Sequence, residues 1–258
     1  ISSTQAAGLF SNNGGAFPLA NGVLLRTGNA QWTGGAYSGN TDELSSELNT
    51  NGDPYLQAIN DATGNSATIE ETSFLEFDFV PLSSNFSFDF IFASNEYGEW
   101  QCASQDVVAF ILTDLSTGTS QNLALTPSGE EISVRNIRDT QYNSSCNSVN
   151  PGLFDSYEVT NGQSTINMRG YTQVLTASST LTPGTSYNIR IVIGDSNDTN
   201  YDSAIFLAGG SFNTSVDLGP DLVLCSGDAA TLSTGLDASV YAHRWFFNGS
   251  EIVGETTN

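Results

Sequence analysis

Two stretches of the chain alternate with a period of two. From Phe74 to Val80, Leu75, Phe77 and Phe79 fall on one face and Glu76 and Asp78 on the other, until Pro81 closes the run. From Phe86 to Phe92, Phe86, Phe88, Phe90 and Phe92 point one way while Ser87 and Asp89 point the other. The short connection from Pro81 to Asn85 predicts a hairpin between them. Val107 to Leu112 is apolar without interruption, as expected of a strand buried on both faces. Ile132 to Ile137, Thr165 to Met168 and Gln173 to Ala177 are shorter strand candidates. After the Pro183-Gly184 turn, Tyr187 to Ile193 reads as a central strand. Ile205 to Leu207 leads into Gly209-Gly210-Ser211-Phe212 as the last strand of the domain. Only two segments read as helical. Asp42 to Leu48 has Thr41 as its candidate cap. Asp53 to Ile59 has Asp53 to cap it, Pro54 at the first helical position, and Leu56 and Ile59 on one face.

This pattern predicts an all-β fold: a β-sandwich, jelly-roll-like, decorated by short helices and spanning residues 1–215. A different rhythm begins at Val216-Asp217-Leu218-Gly219-Pro220. Short apolar runs, Cys225, and then His243-Arg244-Trp245-Phe246-Phe247 suggest the first strands of an immunoglobulin-like domain over residues 216–258. That segment is about half such a domain, which predicts a truncated repeat in which Cys225 lacks its natural partner.

Charge narrows the function. The six basic residues are all arginine, against 28 acidic ones, for a formal charge of -22. Phosphate recognition needs clustered basic groups, so nucleic acid is not an expected partner. An anionic membrane surface repels such a chain, and no run of 18 apolar residues predicts direct membrane insertion. The opening Ile1-Ser2-Ser3-Thr4, without Met or a basic leader, reads as a mature or excised fragment. With 15 Phe, 9 Tyr and 3 Trp, the chain has core material that a disordered segment lacks.

Catalytic patterns are weak. Glu96 with Glu99, or Asp78 with Asp89, are conceivable glycoside hydrolase pairs, but such pairs need a set separation inside a cleft. The single His243 lies in the tail and reads as an ordinary strand residue. Neither a G-x-S-x-G elbow nor an H-E-x-x-H helix occurs. No enzymatic activity is expected. Calcium is the metal that the residues favour, because it takes six to eight oxygens and tolerates irregular geometry. Two oxygen-rich loops adjoin apolar strands, one from Asn95-Glu96 through Asp106 and one from Asp195 through Asp202. The predicted ligands are Glu96, Asp106, Asp195 and Asp202, with Asn197 or Asn200 as a further oxygen donor. Tyr97 and Trp100 either cover the core edge or form an aromatic surface for a sugar or protein. A lectin-like carbohydrate-binding module is therefore the main alternative to a structural spacer.

Five stretches carry a family resemblance. Phe90-Ile91-Phe92-Ala93-Ser94-Asn95-Glu96-Tyr97 followed by Asp106-Val107-Val108-Ala109-Phe110 resembles the signature of the choice-of-anchor L domains of bacterial surface proteins. Phe17-Pro18-Leu19 with Gly22 to Gly28, Leu75 to Pro81, and Tyr201 to Leu207 with Gly210-Ser211-Phe212 resemble further blocks of that family in the same order. Asn95 stands where an acidic residue is usual, and Gln105 where Asn is usual. The tail from Asp217 resembles the opening of Ig- or PKD-like repeats beside such domains in Bacteroidota secreted proteins. The resemblance implies a cell-surface or secreted, adhesin-like module, associated with the outer membrane and exported by type IX secretion. It implies neighbouring repeats and an extracellular protein or glycan ligand as partners. Such an address permits a disulfide, and Cys102 and Cys146, both in polar loops, are the only cysteines of the large domain. They are expected to be bonded.

Overall fold

The structure is a computed structural model of the 258-residue chain. It describes all residues except 1–4, 49, 63–66, 104–105, 162–164, 197–198, 213–215, 217, 219–221, 224, 226, 237, 240 and 255–258. Strands β1 (Ala7–Ser11) and β2 (Asn21–Arg26) come first, then short helices α1 (Thr41–Leu44) and α2 (Pro54–Ala62). Strands β3 (Ile69–Phe79), β4 (Asn85–Ser94), β5 (Val107–Asp114) and β6 (Ser120–Asn122) follow. β7 (Phe154–Tyr157), β8 (Gly170–Thr172), β9 (Leu175–Thr180), β10 (Tyr187–Ser196) and β11 (Ser203–Ala208) complete the domain. One sheet runs β1-β2-β11-β4-β8-β7, with β9 also on β4, and the other runs β3-β10-β5-β6. The fold is an all-β sandwich.

Its core is the meeting of two period-two faces. Phe86, Phe88, Phe90 and Phe92 of β4 and Leu25, Ile205 and Leu207 of the same sheet face Val108, Phe110 and Leu112 of β5 and Ile189, Ile191 and Ile193 of β10. Burying each such side chain contributes roughly 1.5–3 kcal/mol. The outer faces are covered as well, which accounts for the continuous apolar run of β5. Val107, Ala109, Ile111 and Val192 pack under Leu56 and Ile59 of α2, and Leu24, Ile91, Ala93 and Phe206 pack under Phe17, Leu19, Ile166 and Met168. Helix α2 is capped as expected: Asp53 Oδ1 accepts from the Tyr55 and Leu56 amides at 2.9 and 3.2 Å. Helix α1 ends at Leu44, and its cap is Asn40 in place of Thr41.

The predicted hairpin does not form. β3 pairs with β10 and β4 with β11, β8 and β9, so the chain crosses from one sheet to the other at Pro81. Each strand carries a row of aromatics, and Phe79 stacks on Phe86 across the gap between the sheets at 5.0 Å. Three strand candidates are also corrected. Ile132, Val134 and Ile137 are buried, but in a turn whose Ile137 amide donates to the Ser133 carbonyl. Ile166 and Met168 cap the outer face from a bend, not a strand. Gly209 and Gly210 turn the chain so that Phe212, outside any strand, stacks on Phe88 at 4.4 Å. In the tail, Phe246–Phe247 and Ser250–Glu251 form a small hairpin. His243 lies outside a strand, buried with its Nε2 2.7 Å from Thr234 Oγ1, and Cys225 is an exposed free thiol.

Candidate functional site

The inward-facing rows do not end where the aliphatic core ends. Two positions beyond Ile193 on β10 is Asp195, and two before Val108 on β5 is Asp106. Ser94 and Glu96 follow Phe92, Ser203 precedes Ile205, and Thr27 follows Leu25. All six are buried. One end of the sandwich interior is thus lined by carboxylates and hydroxyls where the rest is lined by aliphatic and aromatic groups. A β-bulge helps to set this up: Ser73 opposes Ile193 but Glu70 opposes Asp195, leaving Glu71 and Thr72 against Gly194. Glu71 has a left-handed backbone, φ 47°, and its buried Oε1 accepts from the Leu48 amide at 2.8 Å.

The predicted ligands part into three groups. Asp106, Asp195 and Glu96 converge in the interior. Asp106 Oδ2 accepts from Ser203 Oγ at 2.5 Å and Oδ1 from the Ser196 amide at 3.3 Å, while Glu96 Oε2 accepts from the Asp106 amide at 3.3 Å. Asp195 is different: both its oxygens are buried and neither meets a donor among the described residues. Asp202, also fully buried, is already satisfied. Its Oδ2 pairs with Arg26 Nε at 2.9 Å and accepts from Ser46 Oγ, and its Oδ1 accepts from the Ser46 amide at 3.0 Å. Asp202 is accordingly an anchor for Arg26 rather than a free metal ligand. Asn200 is exposed, and Asn197 falls outside the described residues.

Burial governs the protonation of this cluster. It raises the Asp106 carboxyl to about 7, against the pull of its Ser203 and Ser196 donors. Burial and then repulsion from Asp106 push Asp195 well above the ordinary carboxylate range. Burial also raises Asp202 and lowers Arg26, although each attracts the other. Among the described residues, no group of three or more His, Cys, Asp or Glu side chains has the spacing of a metal centre. A cation held here would rest on two carboxylates plus neutral oxygens, a donor set that suits calcium better than zinc.

Pattern reading missed Arg26 and its surroundings. The available signal was a lone arginine closing the apolar run Val23-Leu24-Leu25. Its Nη1 donates to Thr33 Oγ1 at 3.0 Å and its Nη2 to the Glu43 carbonyl, so it ties α1 to the sheet. Gly28 is required beside it: a Cβ there would lie 1.7 Å from Asp202 Oδ2 and 2.1 Å from Ser46 Oγ.

Tyr97 is wholly buried against Phe92 and Phe154, which corrects its reading as a ligand contact. Trp100 is at the surface. Cys102 and Cys146 are bonded, with Cα atoms 5.6 Å apart, which anchors the chain two residues after Trp100. The candidate acid pairs share no cleft. Asp78 and Asp89 lie in opposite sheets, bonded to Asn188 and Thr176, while Glu96 is buried and Glu99 is exposed and paired with Arg169.

The described residues thus form a doubly covered β-sandwich with a buried polar end and a disulfide beside the Trp100 loop. The family model of the Choice-of-anchor L domain matches residues 1–213, and the chain belongs to that family. Membership places it among the modules of cell-surface or secreted proteins, a non-catalytic class. Comparison with curated proteins and with solved structures finds no match. No helix among the described residues is long and apolar enough to cross a membrane.

Proposed function

We propose that this chain is a non-enzymatic, adhesin-like module of a bacterial surface protein, and that calcium closes the polar end of its sandwich. Asp195 and Asp106 would hold the ion, with Glu96 beside them. The observation behind this reading is Asp195, whose two carboxylate oxygens are sealed from water without a donor. A buried polar atom without a partner is costly, and more so when charged. A divalent cation supplies the missing charge, and it would link β10 to β5 and to the loop after β4.

An ion that binds only the folded form stabilises it by RT ln(1 + [L]/Kd), about 2.7 kcal/mol at a hundredfold excess. Millimolar calcium is expected to raise the melting temperature several degrees above that in EDTA, and magnesium, which demands tighter octahedral geometry, should restore it poorly. Terbium luminescence sensitised by nearby aromatic rings, displaced by calcium, checks binding directly. Superimposable melting curves in EDTA and calcium would refute the calcium reading.

A further inference from the structure

The solvent side of the same end of the sandwich carries a feature that the buried carboxylates do not use. The Trp100 ring is 37% exposed and meets the half-buried Tyr201 ring at 5.6 Å, with planes inclined by 32°. The Arg169 guanidinium lies 5.0 Å from the centre of the Tyr201 ring, and its Nη1 and Nη2 each reach Glu99 Oε2 at 3.3 Å. Glu99 itself is 60% exposed on its side chain. Two aromatic rings, an exposed carboxylate and the largely buried guanidinium that holds it thus come together from three distant parts of the chain.

Each part is held firmly. Asn143 Nδ2 donates to the Gly98 and Glu99 carbonyls at 2.9 and 3.1 Å, and the Cys102–Cys146 bond anchors the chain two residues after Trp100. The Tyr201 amide donates to Ser45 Oγ at 2.8 Å, and the next amide, of Asp202, donates to the Leu44 carbonyl at 2.9 Å. Tyr201 nevertheless sits at φ 63°, in the left-handed region. Of the five non-glycine residues there among those described, three are Asn, which tolerates it; Tyr201 is the one aromatic. Such strain persists only where the surroundings over-determine it, here the Ser45 and Leu44 contacts, and strained residues of this kind cluster at binding sites.

We infer that Trp100, Tyr201 and the Arg169–Glu99 pair form a preorganised platform for one ring of a neutral saccharide. The apolar C–H face of a sugar packs on the exposed part of the Trp100 indole, which Tyr201 backs, while its hydroxyls find the Glu99 carboxylate that the largely buried Arg169 holds at the rim. Anionic ligands are disfavoured by the net charge of -22 and by the neutralisation of Arg169 by Glu99. A stable protein interface needs roughly 800 Å² per partner, far more than two rings provide. None of the four residues is a proposed calcium ligand, so the platform and the ion can fail independently.

The test is affinity electrophoresis of the full chain through gels containing mannan, xylan, mixed-linkage glucan, galactan or chitin oligomers, with a neutral glycan array alongside, each in calcium and in EDTA. Retardation by at least one neutral glycan is expected, weakened at least tenfold by Trp100→Ala. Tyr201→Gly relieves the strain at φ 63° but removes a half-buried ring, so it is read beside Tyr201→Leu, and both should weaken retardation at least tenfold. Absence of retardation across the whole panel, or retardation that survives Trp100→Ala, overturns the inference. So does full retardation of both Tyr201 variants, which would leave the ring without a part in binding. Loss of the calcium response with retardation intact would count against the ion alone.

Discussion

Replacing Asp195 with Asn, in EDTA, should stabilise the protein at neutral pH. In the folded chain burial raises Asp106 from 3.8 to about 7 and moves Asp195 well above its ordinary range. A carboxyl raised on folding binds more protons folded than unfolded. The metal-free fold is therefore least penalised below the unfolded value near 4 and loses stability as pH rises toward the folded value. For Asp106 the interval is about 3 units, which at about 1.36 kcal/mol per unit is on the order of 4 kcal/mol. Asp195 is shifted in the same direction, by burial and by repulsion from Asp106, and adds to that penalty. Asparagine removes that second penalty but buries an amide, which costs about 1–3 kcal/mol unless Asp106 accepts from it. The net expectation at pH 7 is stabilisation, and each 1 kcal/mol gained raises the melting temperature by about 2–4 °C for a domain of this size. Between pH 5 and 7 the slope of stability against pH should fall by about one proton. Calcium should reverse the order, protecting the parent and leaving Asp195→Asn indifferent. Thermal melts at half-unit steps from pH 4.5 to 8, with and without calcium, read all of this. An Asp195→Asn protein that melts lower than the parent in EDTA at pH 7, with an unchanged pH slope, would refute the account of the cluster.

Replacing both Cys102 and Cys146 with Ser should cost up to about 4 kcal/mol, from the loop entropy of a 44-residue separation, as measured by urea titration. Non-reducing peptide mapping of the parent should recover the two cysteines in one linked pair. Arg26→Leu leaves Asp202 buried without its cation and should cost about 3–5 kcal/mol by the same titration, and an effect below 1 kcal/mol would mean that Ser46 alone satisfies Asp202. Phe88→Ala empties the space between Phe110 and Phe212 and should cost about 3–5 kcal/mol, whereas Phe77→Ala, at a half-exposed site, should cost far less.

Sequence alone determined what local physics determines. Alternation at Phe86 to Phe92, the unbroken run at Val107 to Leu112 and the strand at Tyr187 to Ile193 all specified elements that the fold contains, because burial of one or both faces dictates side-chain period. The Asp53-Pro54 start of α2 was legible for the same local reason. The oxygen-rich loops holding Glu96, Asp106 and Asp195 were also visible, since carboxylates so close to apolar strands are unusual. Partnership was decided only in three dimensions. β3 and β4 each carry a face that another sheet can bury, and nothing between Pro81 and Asn85 says whether that sheet is shared or opposite. Asp202 and Asp195 are alike in sequence, yet one meets Arg26 from 176 residues away and the other meets no donor among the described residues. Tyr97 and Trp100 stand three residues apart in one loop, and only the direction of the turn sends the first into the core and leaves the second facing water, because the few contacts that orient a loop come from residues far along the chain.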